Sequence, residues 1–538
     1  MKKLIRFFSK CTEVRKVQGK TEHKTVSMRS HENLSTILKR QFSAEAVFGT
    51  KSIGIGILVF ALTGCSFAPQ YHRPAMPIPE HFKEPGQWVE IKSTPRIVAP
   101  NGWWHAFHDP VLNDLENQLN KANQDLKLAY AHFQEAVSLV QVARSYFFPT
   151  IQGISNADRQ QNSRTVANPA STSVFNQFLL GGFLSYELDA WGSIRNSVIA
   201  SERSANASAA DMASIRLSLQ AELANTYFAL RGSDEAQRIL DTTVVAYQEA
   251  LYLTKNRYQG GAAPIADVDE AETQLENAKT QAEDIRLQRA QLEHAIAVLV
   301  GEIPSNFSIS PAKSPRIFLE IAPNIPSTIL DRRPDLIAAE SRVQAANANI
   351  GVARAAFFPV IELTGSAGFQ SQSLANLISK PSLFWSLGPQ SLLSLSQPVA
   401  QVTLFDGGRL RGLLNQAKAQ YFETVATYRQ TVLTAFQEVE DNLIAIHQLD
   451  KEYRTQKAAA RAAKRAWDQE LYRYKGGLVT FLQVVVVENT ALQSELSLVN
   501  IRTRRQIASV QLIKALGGGW SLDMGKRKTK TTPYSKLR

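Results

Sequence analysis

The heptapeptide Ala143-Arg144-Ser145-Tyr146-Phe147-Phe148-Pro149 returns 210 positions later as Ala353-Arg354-Ala355-Ala356-Phe357-Phe358-Pro359. Each copy closes a stretch of helical apolar spacing and opens one in which apolar and polar residues alternate. The proline therefore marks a change from a helical to a strand period.

The echo continues downstream at an offset of 216, where Gly192-Ser193-Ile194-Arg195 answers Gly408-Arg409-Leu410-Arg411. At that offset Glu222 answers Glu438, the triple Arg257, Tyr258, Gly260 answers Arg473, Tyr474, Gly476, and Glu272 answers Glu488. The six-residue difference lies between Pro149 and Gly192, where a surface loop tolerates length change. The chain is read as a tandem duplication, each unit running helix, two strands, long helix, turn, helix, and the two units forming pseudo-symmetric halves of one domain.

The formal charge of +12 sits at the ends. Residues 1–64 carry 12 Lys/Arg against 4 Asp/Glu, and residues 519–538 carry 6 against 1, which leaves a body of net charge −1. A near-neutral body gives no electrostatic footprint for nucleic acid. The two cysteines, Cys11 and Cys65, cannot staple a chain of 538 residues. His72, His81, His105 and His108 crowd one region, but their spacing fits no zinc motif, so no metal, cofactor or enzymatic centre is expected.

Lys51 precedes an apolar run, Ile53 to Ala61, which is too short to cross a bilayer as a helix and has the proportions of a signal-peptide core. It ends in Leu62-Thr63-Gly64-Cys65. Acyl chains on Cys65 would each add about 0.8 kcal/mol of membrane affinity per buried methylene. From Phe67 to Trp104 the seven prolines forbid regular helix or central strand, so an extended tether is expected.

After the first Phe-Phe-Pro, Phe178, Leu180, Gly182, Leu184, Tyr186 and Leu188 alternate with polar residues. After the second, Ile361, Leu363, Gly365, Ala367 and Phe369 do the same. Such stretches have the length and two-residue period of outer-membrane barrel strands, although a half-buried soluble hairpin would look the same locally. One chain supplies about four strands and a membrane barrel needs at least eight; three chains would supply about twelve.

The long helical patterns run from Gly192 to Gln259 and from Gly408 to Lys475, roughly 100 Å each at about 1.5 Å per residue. Neither holds an uninterrupted apolar span, so neither is transmembrane. A filamentous coiled coil is one reading; helices side by side in a tube is preferred, because each is followed by a tight return and an antiparallel partner. The returns are Gly260-Gly261-Ala262-Ala263-Pro264 and Gly476-Gly477-Leu478-Val479-Thr480. Glycine after the last helical residue supplies positive φ, Pro264 suits the next helix's first turn, and Thr480 can cap its successor. A tip far from any membrane end is where a partner would dock.

The Leu62–Cys65 lipobox, Asp331-Arg332-Arg333-Pro334-Asp335-Leu336, the second Phe-Phe-Pro segment, Leu404-Phe405-Asp406-Gly407-Gly408-Arg409 and Arg473-Tyr474-Lys475-Gly476-Gly477 together resemble outer-membrane efflux lipoproteins of the NodT type, kin of TolC and OprM. The resemblance covers about Pro69 to Trp520. It implies a mixed, mainly α, trimeric TolC-like α/β barrel with long helical hairpins and a 12-stranded membrane β-barrel built from four strands per protomer. It also implies lipidation at Cys65, a location in the outer membrane with a long periplasmic portion, and helix–strand junctions at Pro149, Gly192, Pro359, Asp406, Gly407 and Gly408.

The implied role is the exit duct of a tripartite efflux pump. Its partners would be a periplasmic adaptor at Gly260, Gly261, Ala262, Gly476, Gly477, Leu478, Val479 and Thr480, an inner-membrane transporter often of the resistance-nodulation-division class, and outer-membrane lipid. Gln483 and Val484 to Val487 depart from the family's acidic start to the following helix. A type I protein exporter is the alternative within the fold, and a structural coiled-coil lipoprotein the alternative outside it. The expected order along the chain is a leader (1–64), a lipidated tether (65–104), the first repeat (105–301), a linker (302–330), the second repeat (331–518) and a basic, disordered tail (519–538).

Overall fold

A computed structural model describes residues 66–79, 82–83, 102–161, 163, 165, 174–315, 329–389 and 405–518. The leader, Cys65, His81, most of the tether between residues 80 and 101, linker residues 316–328, Leu404 and the tail lie outside the described residues, as do the expectations attached to them.

Both halves run helix, strand, strand, long helix, helix. The first contains α1 (Pro110–Ala122), α2 (Gln124–Ser145), β1 (Thr150–Gln160), β2 (Phe175–Glu187), α3 (Ser193–Gln259) and α4 (Ile265–Val300). The second contains α5 (Pro334–Ala355), β3 (Glu362–Ser371), β4 (Leu383–Pro389), α6 (Arg409–Lys475) and α7 (Phe481–Ala515).

The duplication persists in individual hydrogen bonds. The sequence reads one helix before the first Phe-Phe-Pro, but the structure breaks it at buried Asn123, whose Nδ2 donates to Leu299 O at 2.8 Å while its Oδ1 accepts the Leu126 N–H at 2.9 Å. At the corresponding place in the second half, Arg333 donates from a guanidinium nitrogen to Ala515 O at 3.1 Å. Gly301 and Gly517 end α4 and α7 with φ of 79° and 89°. A Cβ on Gly301 would stand 2.7 Å from Ala122 O, and one on Gly517 2.4 Å from Arg332 O, so backbone approaches backbone at both sites.

The chain divides into two compact units, and neither coincides with a repeat. Each unit takes a part of both halves.

The first unit, whose described residues fall within 66–70, 141–200 and 346–419, holds one antiparallel sheet in the order β1-β2-β3-β4. Ladder partners share a face. One row is Ile151, Leu184, Gly365, Leu387; the next is Gly153, Gly182, Ala367, Trp385; a third is Ser155, Leu180, Phe369, Leu383. The opposite face carries the row Gln152, Phe183, Ser366, Ser386 and the row Thr150, Ser185, Thr364, Gly388. The first face is therefore apolar and the second largely polar. Trp385, Leu387 and Leu383 stand 73%, 64% and 55% exposed on the apolar face. At the helical end of this unit, Phe67, Phe358 and Trp191 stack with centroids 4.6 and 4.9 Å apart, and Trp191 Nε1 donates to Pro359 O at 2.6 Å. The chain beside Phe67 is pinned by Ser66 Oγ to Asn196 Oδ1 at 3.0 Å and by Asn347 Nδ2 to Pro69 O at 2.8 Å.

The second unit holds two cores, in which Leu223 and Ile296 of one answer Val439 and Leu512 of the other at the 216-residue offset. In one, Leu112, Leu119, Leu223, Phe228 and Ile296 pack with Trp103, Trp104 and Phe107; in the other, Leu336, Val343, Val439, Leu443 and Leu512 pack together. Trp103 and Trp104, the last residues of the expected tether, are buried in the first of these cores. A buried polar cluster fastens the chain that follows α4. Asp234 accepts from Arg231 at 2.8 Å, from Arg289 at 2.7 Å and from the Ala312 N–H at 3.0 Å, and it is 2% exposed at the side chain. Removing one member of such a group leaves buried charge unpaired. Asp234→Ala is expected to destabilise the second unit by about 3–5 kcal/mol, checked by chemical denaturation against the wild-type chain; a change within about 0.5 kcal/mol would refute the assignment.

Candidate functional site

The two long helices end in the same way. Gly261 adopts φ 73°, its N–H donating to Tyr258 O at 2.9 Å while the Ala262 N–H donates to Arg257 O at 2.7 Å. Gly477 adopts φ 74°, its N–H donating to Tyr474 O at 2.9 Å while the Leu478 N–H donates to Arg473 O at 2.9 Å. In both, a left-handed glycine lets two amides beyond the helix satisfy its last carbonyls. Gly260 and Gly476 precede these residues and continue the helical bonding to Asn256 O and Tyr472 O. The positive φ thus falls on the second glycine of each pair rather than on the first residue after the helix. An L-side chain there costs about 1–2 kcal/mol through backbone strain.

The next helices start differently. Pro264 is the N-cap of α4 with an extended backbone, one position before the first turn that its residue type suggested, and Asp267 lies in that first turn. Thr480 is the N-cap of α7, and its N–H donates to Gln483 Oε1 at 3.2 Å. Gln483, a departure from the resembled family's pattern, therefore serves a capping box. In the valine run that follows, Val484 and Val485 are buried while Val486 is exposed. Leu478 is 74% exposed, whereas half-buried Val479 packs on the cluster of Ala271, Tyr474, Phe481, Val484 and Val485.

Sequence reading missed what fixes the two tips against each other. Arg257 donates to Tyr474 O at 3.2 Å, and its guanidinium lies 4.6 Å from the Tyr474 ring centroid. The repeated Arg-Tyr-x-Gly pattern was the only signal, and it is symmetric where the contact is not. Tyr474 is 4% exposed while its counterpart Tyr258 is 45% exposed.

The predicted junction residues all lie in the first unit. Pro149 separates α2 from β1, and Pro359 separates α5 from β3. Gly192, Gly407 and Gly408 adopt φ of 76°, 63° and 92° just before the long helices. Asp406 accepts from Gly408 N at 2.9 Å and Leu410 N at 2.8 Å, and these amides, Leu410's above all, hold its carboxyl below the usual carboxylate range. Asp189, overlooked as a cap, accepts from Ile194 N and Arg195 N at 3.0 Å.

Between α3, α6 and α7 lies a cavity of about 310 Å³ lined by Arg238, Thr242, Lys464, Trp467, Glu488 and Glu495, among others. Burial there pushes the Glu488 carboxyl up to about 7. Among the described residues, no group of three His, Cys, Asp or Glu side chains is placed to hold a metal ion. No described helix is long and apolar enough to cross a membrane.

A sheet apolar on one face and polar on the other, with helical hairpins closed by glycine-capped tips, defines the class: a channel-type outer-membrane protein. The chain belongs to the outer membrane efflux protein family, whose sequence profile matches residues 115–302 and 325–518. The probable efflux pump outer membrane protein TtgC of Pseudomonas putida is 29% identical over 480 residues, covering 89% of this chain and 97% of its own. Outer membrane protein OprJ of Pseudomonas aeruginosa is 31% identical over 474 residues, covering 87% and 96%. The crystal structure of the Campylobacter jejuni CmeC outer membrane channel is similar with a TM-score of 0.78 at 26% identity, over 86% of this chain and 96% of that one. The chain is thus an outer-membrane efflux channel subunit.

Since burial raises the Glu488 carboxyl from 4.5 to about 7, its ionisation opposes folding. The penalty is absent below about pH 4.5, where both folded and unfolded chains hold the proton; it grows as pH rises through that window and is complete above about 7. Glu488→Gln is expected to raise stability at pH 8 by about 1–3 kcal/mol, with the difference vanishing near pH 4. Thermal unfolding at the two pH values checks this, and an equal shift at both would count against it.

Proposed function

We propose that this chain is the exit duct of a tripartite efflux pump, conducting substrates passively from a periplasmic adaptor and an inner-membrane transporter, of the resistance-nodulation-division class, to the exterior. The single observation that carries the reading is the sheet. Four strands form an amphipathic ribbon whose outer strands, β1 and β4, have no further strand beyond them among the described residues. Eight strands is the smallest membrane barrel known to close, so one protomer cannot supply it. Three copies in cyclic symmetry give twelve strands, turn the apolar rows containing Trp385 and Leu387 toward lipid, and line the interior with the polar rows.

Cys65 is proposed as the lipidated first residue of the mature chain. It immediately precedes Ser66, which is held beside Asn196 close to the sheet's helical end, and two acyl signals would suffice for stable anchoring. The exposed tip residues Gly260, Gly261, Ala262, Gly476, Gly477 and Leu478, with Val479 and Thr480, are proposed to meet the adaptor. The division into leader, tether, two repeats, linker and tail stands as proposed, with the body beginning at Trp103. No cofactor takes part.

Detergent-purified chain is expected to weigh as a trimer and to conduct ions in planar bilayers; a folded monomer without conductance would overturn the reading. Gly477→Pro removes the N–H that bonds Tyr474 O and forbids φ 74°. It is expected to leave trimers and conductance intact while reducing crosslinking to the adaptor and drug resistance in cells by roughly tenfold, the loss of about 1.4 kcal/mol. Unchanged crosslinking and resistance would remove the tip from the docking surface.

A further inference from the structure

Charge in the second unit is concentrated on two helices. The first twenty residues of α4, 265–284, carry seven Asp/Glu against one Lys, whereas their counterparts on α7, 481–500, carry only Glu488 and Glu495. The last 25 residues of α6, 451–475, carry eight Lys/Arg against three Asp/Glu, whereas their counterparts on α3, 235–259, carry three of each sign. One half of the duplication has become acidic on its short helix and the other basic on its long one. Glu272, Glu276 and Glu283 follow one helical face, as do Arg454, Arg461 and Arg465, and all six residues are exposed.

Among the described residues, no ion pair joins these two faces within the protomer. Among the described residues, the ion pairs of α4 run along α4 or to α3, as in Lys279–Glu276 and Lys255–Glu272. Those of distal α6 run along α6 or to α7, as in Arg454–Asp450 and Arg505–Asp450. Helix α7 lies between them. It packs Leu492, Leu496 and Val499 on Ile239, Leu240 and Ala282, and it accepts from Gln456 Nε2 at Ser494 O at 3.0 Å.

The duplication supplies a register for the outer faces. Within the protomer α3 packs against α7, with Glu235 paired to Arg502 and Tyr247 OH bonded to Asn489 Oδ1 at 3.3 Å. Helix α6 is the counterpart of α3, and α4 that of α7. Transferring the contact by the 216-residue offset sets α6 of one protomer against α4 of a second. The Glu235–Arg502 register then places Arg454 opposite Glu283, Arg461 opposite Glu276 and Arg465 opposite Glu272. It also sets Asp468 against Asp269 and Lys451 against Arg286, like pairs at the two ends of a block of opposite ones. At the tip, the contact of Arg257 with Tyr474 transfers to Arg473 over Tyr258, the tyrosine left 45% exposed in the protomer.

We infer that α4 of one protomer packs antiparallel against distal α6 of a second copy, in the register that pairs Glu272 with Arg465, Glu276 with Arg461 and Glu283 with Arg454. The interface is heterologous, so it closes into a ring instead of a twofold dimer, and it rests on the homotrimer proposed above. Exposed single pairs contribute little each, so the main effect of three in register is to select partner face and alignment.

The test uses the full-length chain in detergent. Arg461→Glu with Arg465→Glu is expected to lower the temperature at which trimers dissociate by roughly 5–10 °C. Adding Glu272→Arg and Glu276→Arg to the same chain is expected to restore more than half of that loss. Independently, Thr280→Cys and Ala458→Cys together are expected to give a covalent trimer with a short bismaleimide, while each alone gives none. Trimers that tolerate the reversals and yield no 280–458 product would overturn this interface and leave the homotrimer standing; a wild-type chain that weighs as a monomer would remove both.

Discussion

A β-strand whose outer edge has no partner leaves a row of N–H and C=O groups that must be satisfied elsewhere, and inside a bilayer nothing but another strand can do so. β1 offers eleven residues at one edge of the sheet and β4 seven at the other. The two faces of the sheet differ in composition, one apolar and one largely polar. In the proposed trimer the hydrogen-bonding needs of these two edge strands are met by other copies of the chain.

The duplication supplies the means. Its two halves retain equivalent contacts down to the side chain that joins the first helix to the end of the last, Asn123 to Leu299 O in one and Arg333 to Ala515 O in the other. Amide and guanidinium differ in size and charge, yet each donates to the corresponding carbonyl, Leu299 O in one half and Ala515 O in the other. What the geometry conserves here is the donor position and not the residue type. Where the halves differ, the difference is directional. Tyr474 is covered by Arg257 while Tyr258 stays open, and charge of opposite sign collects on α4 and α6. A perfectly symmetric pair of halves would not distinguish a contact made within a protomer from one made between protomers.

Much of this was legible beforehand because the signals are local. Proline after Phe-Phe ends a helix wherever it occurs, alternation over ten residues sets which face of a strand is apolar, and paired glycines close a helix. Other features depend on groups distant in sequence. The break at Asn123 has a local part, its Oδ1 on the Leu126 N–H, but the carbonyl that its Nδ2 serves belongs to distant Leu299. The positive φ at Gly261 and Gly477 is by contrast settled locally, by bonds to Tyr258 O and Tyr474 O three residues back. Trp103 and Trp104 follow a proline-rich stretch that suggests exposure, yet they find a core made of α1, α3 and α4.

The duplication, the order of elements, the strand faces and the places where long helices turn back are legible in the chain alone, because each rests on spacing along it. That the compact units cut across the repeats, that Asp234 gathers two arginines, that Glu488 lies where ionisation is costly, and which of two equivalent tyrosines is covered emerge from packing. Those are properties of surroundings assembled from residues tens to hundreds of positions apart. Periodicity fixes which side of an element seeks cover, and packing alone fixes what provides it.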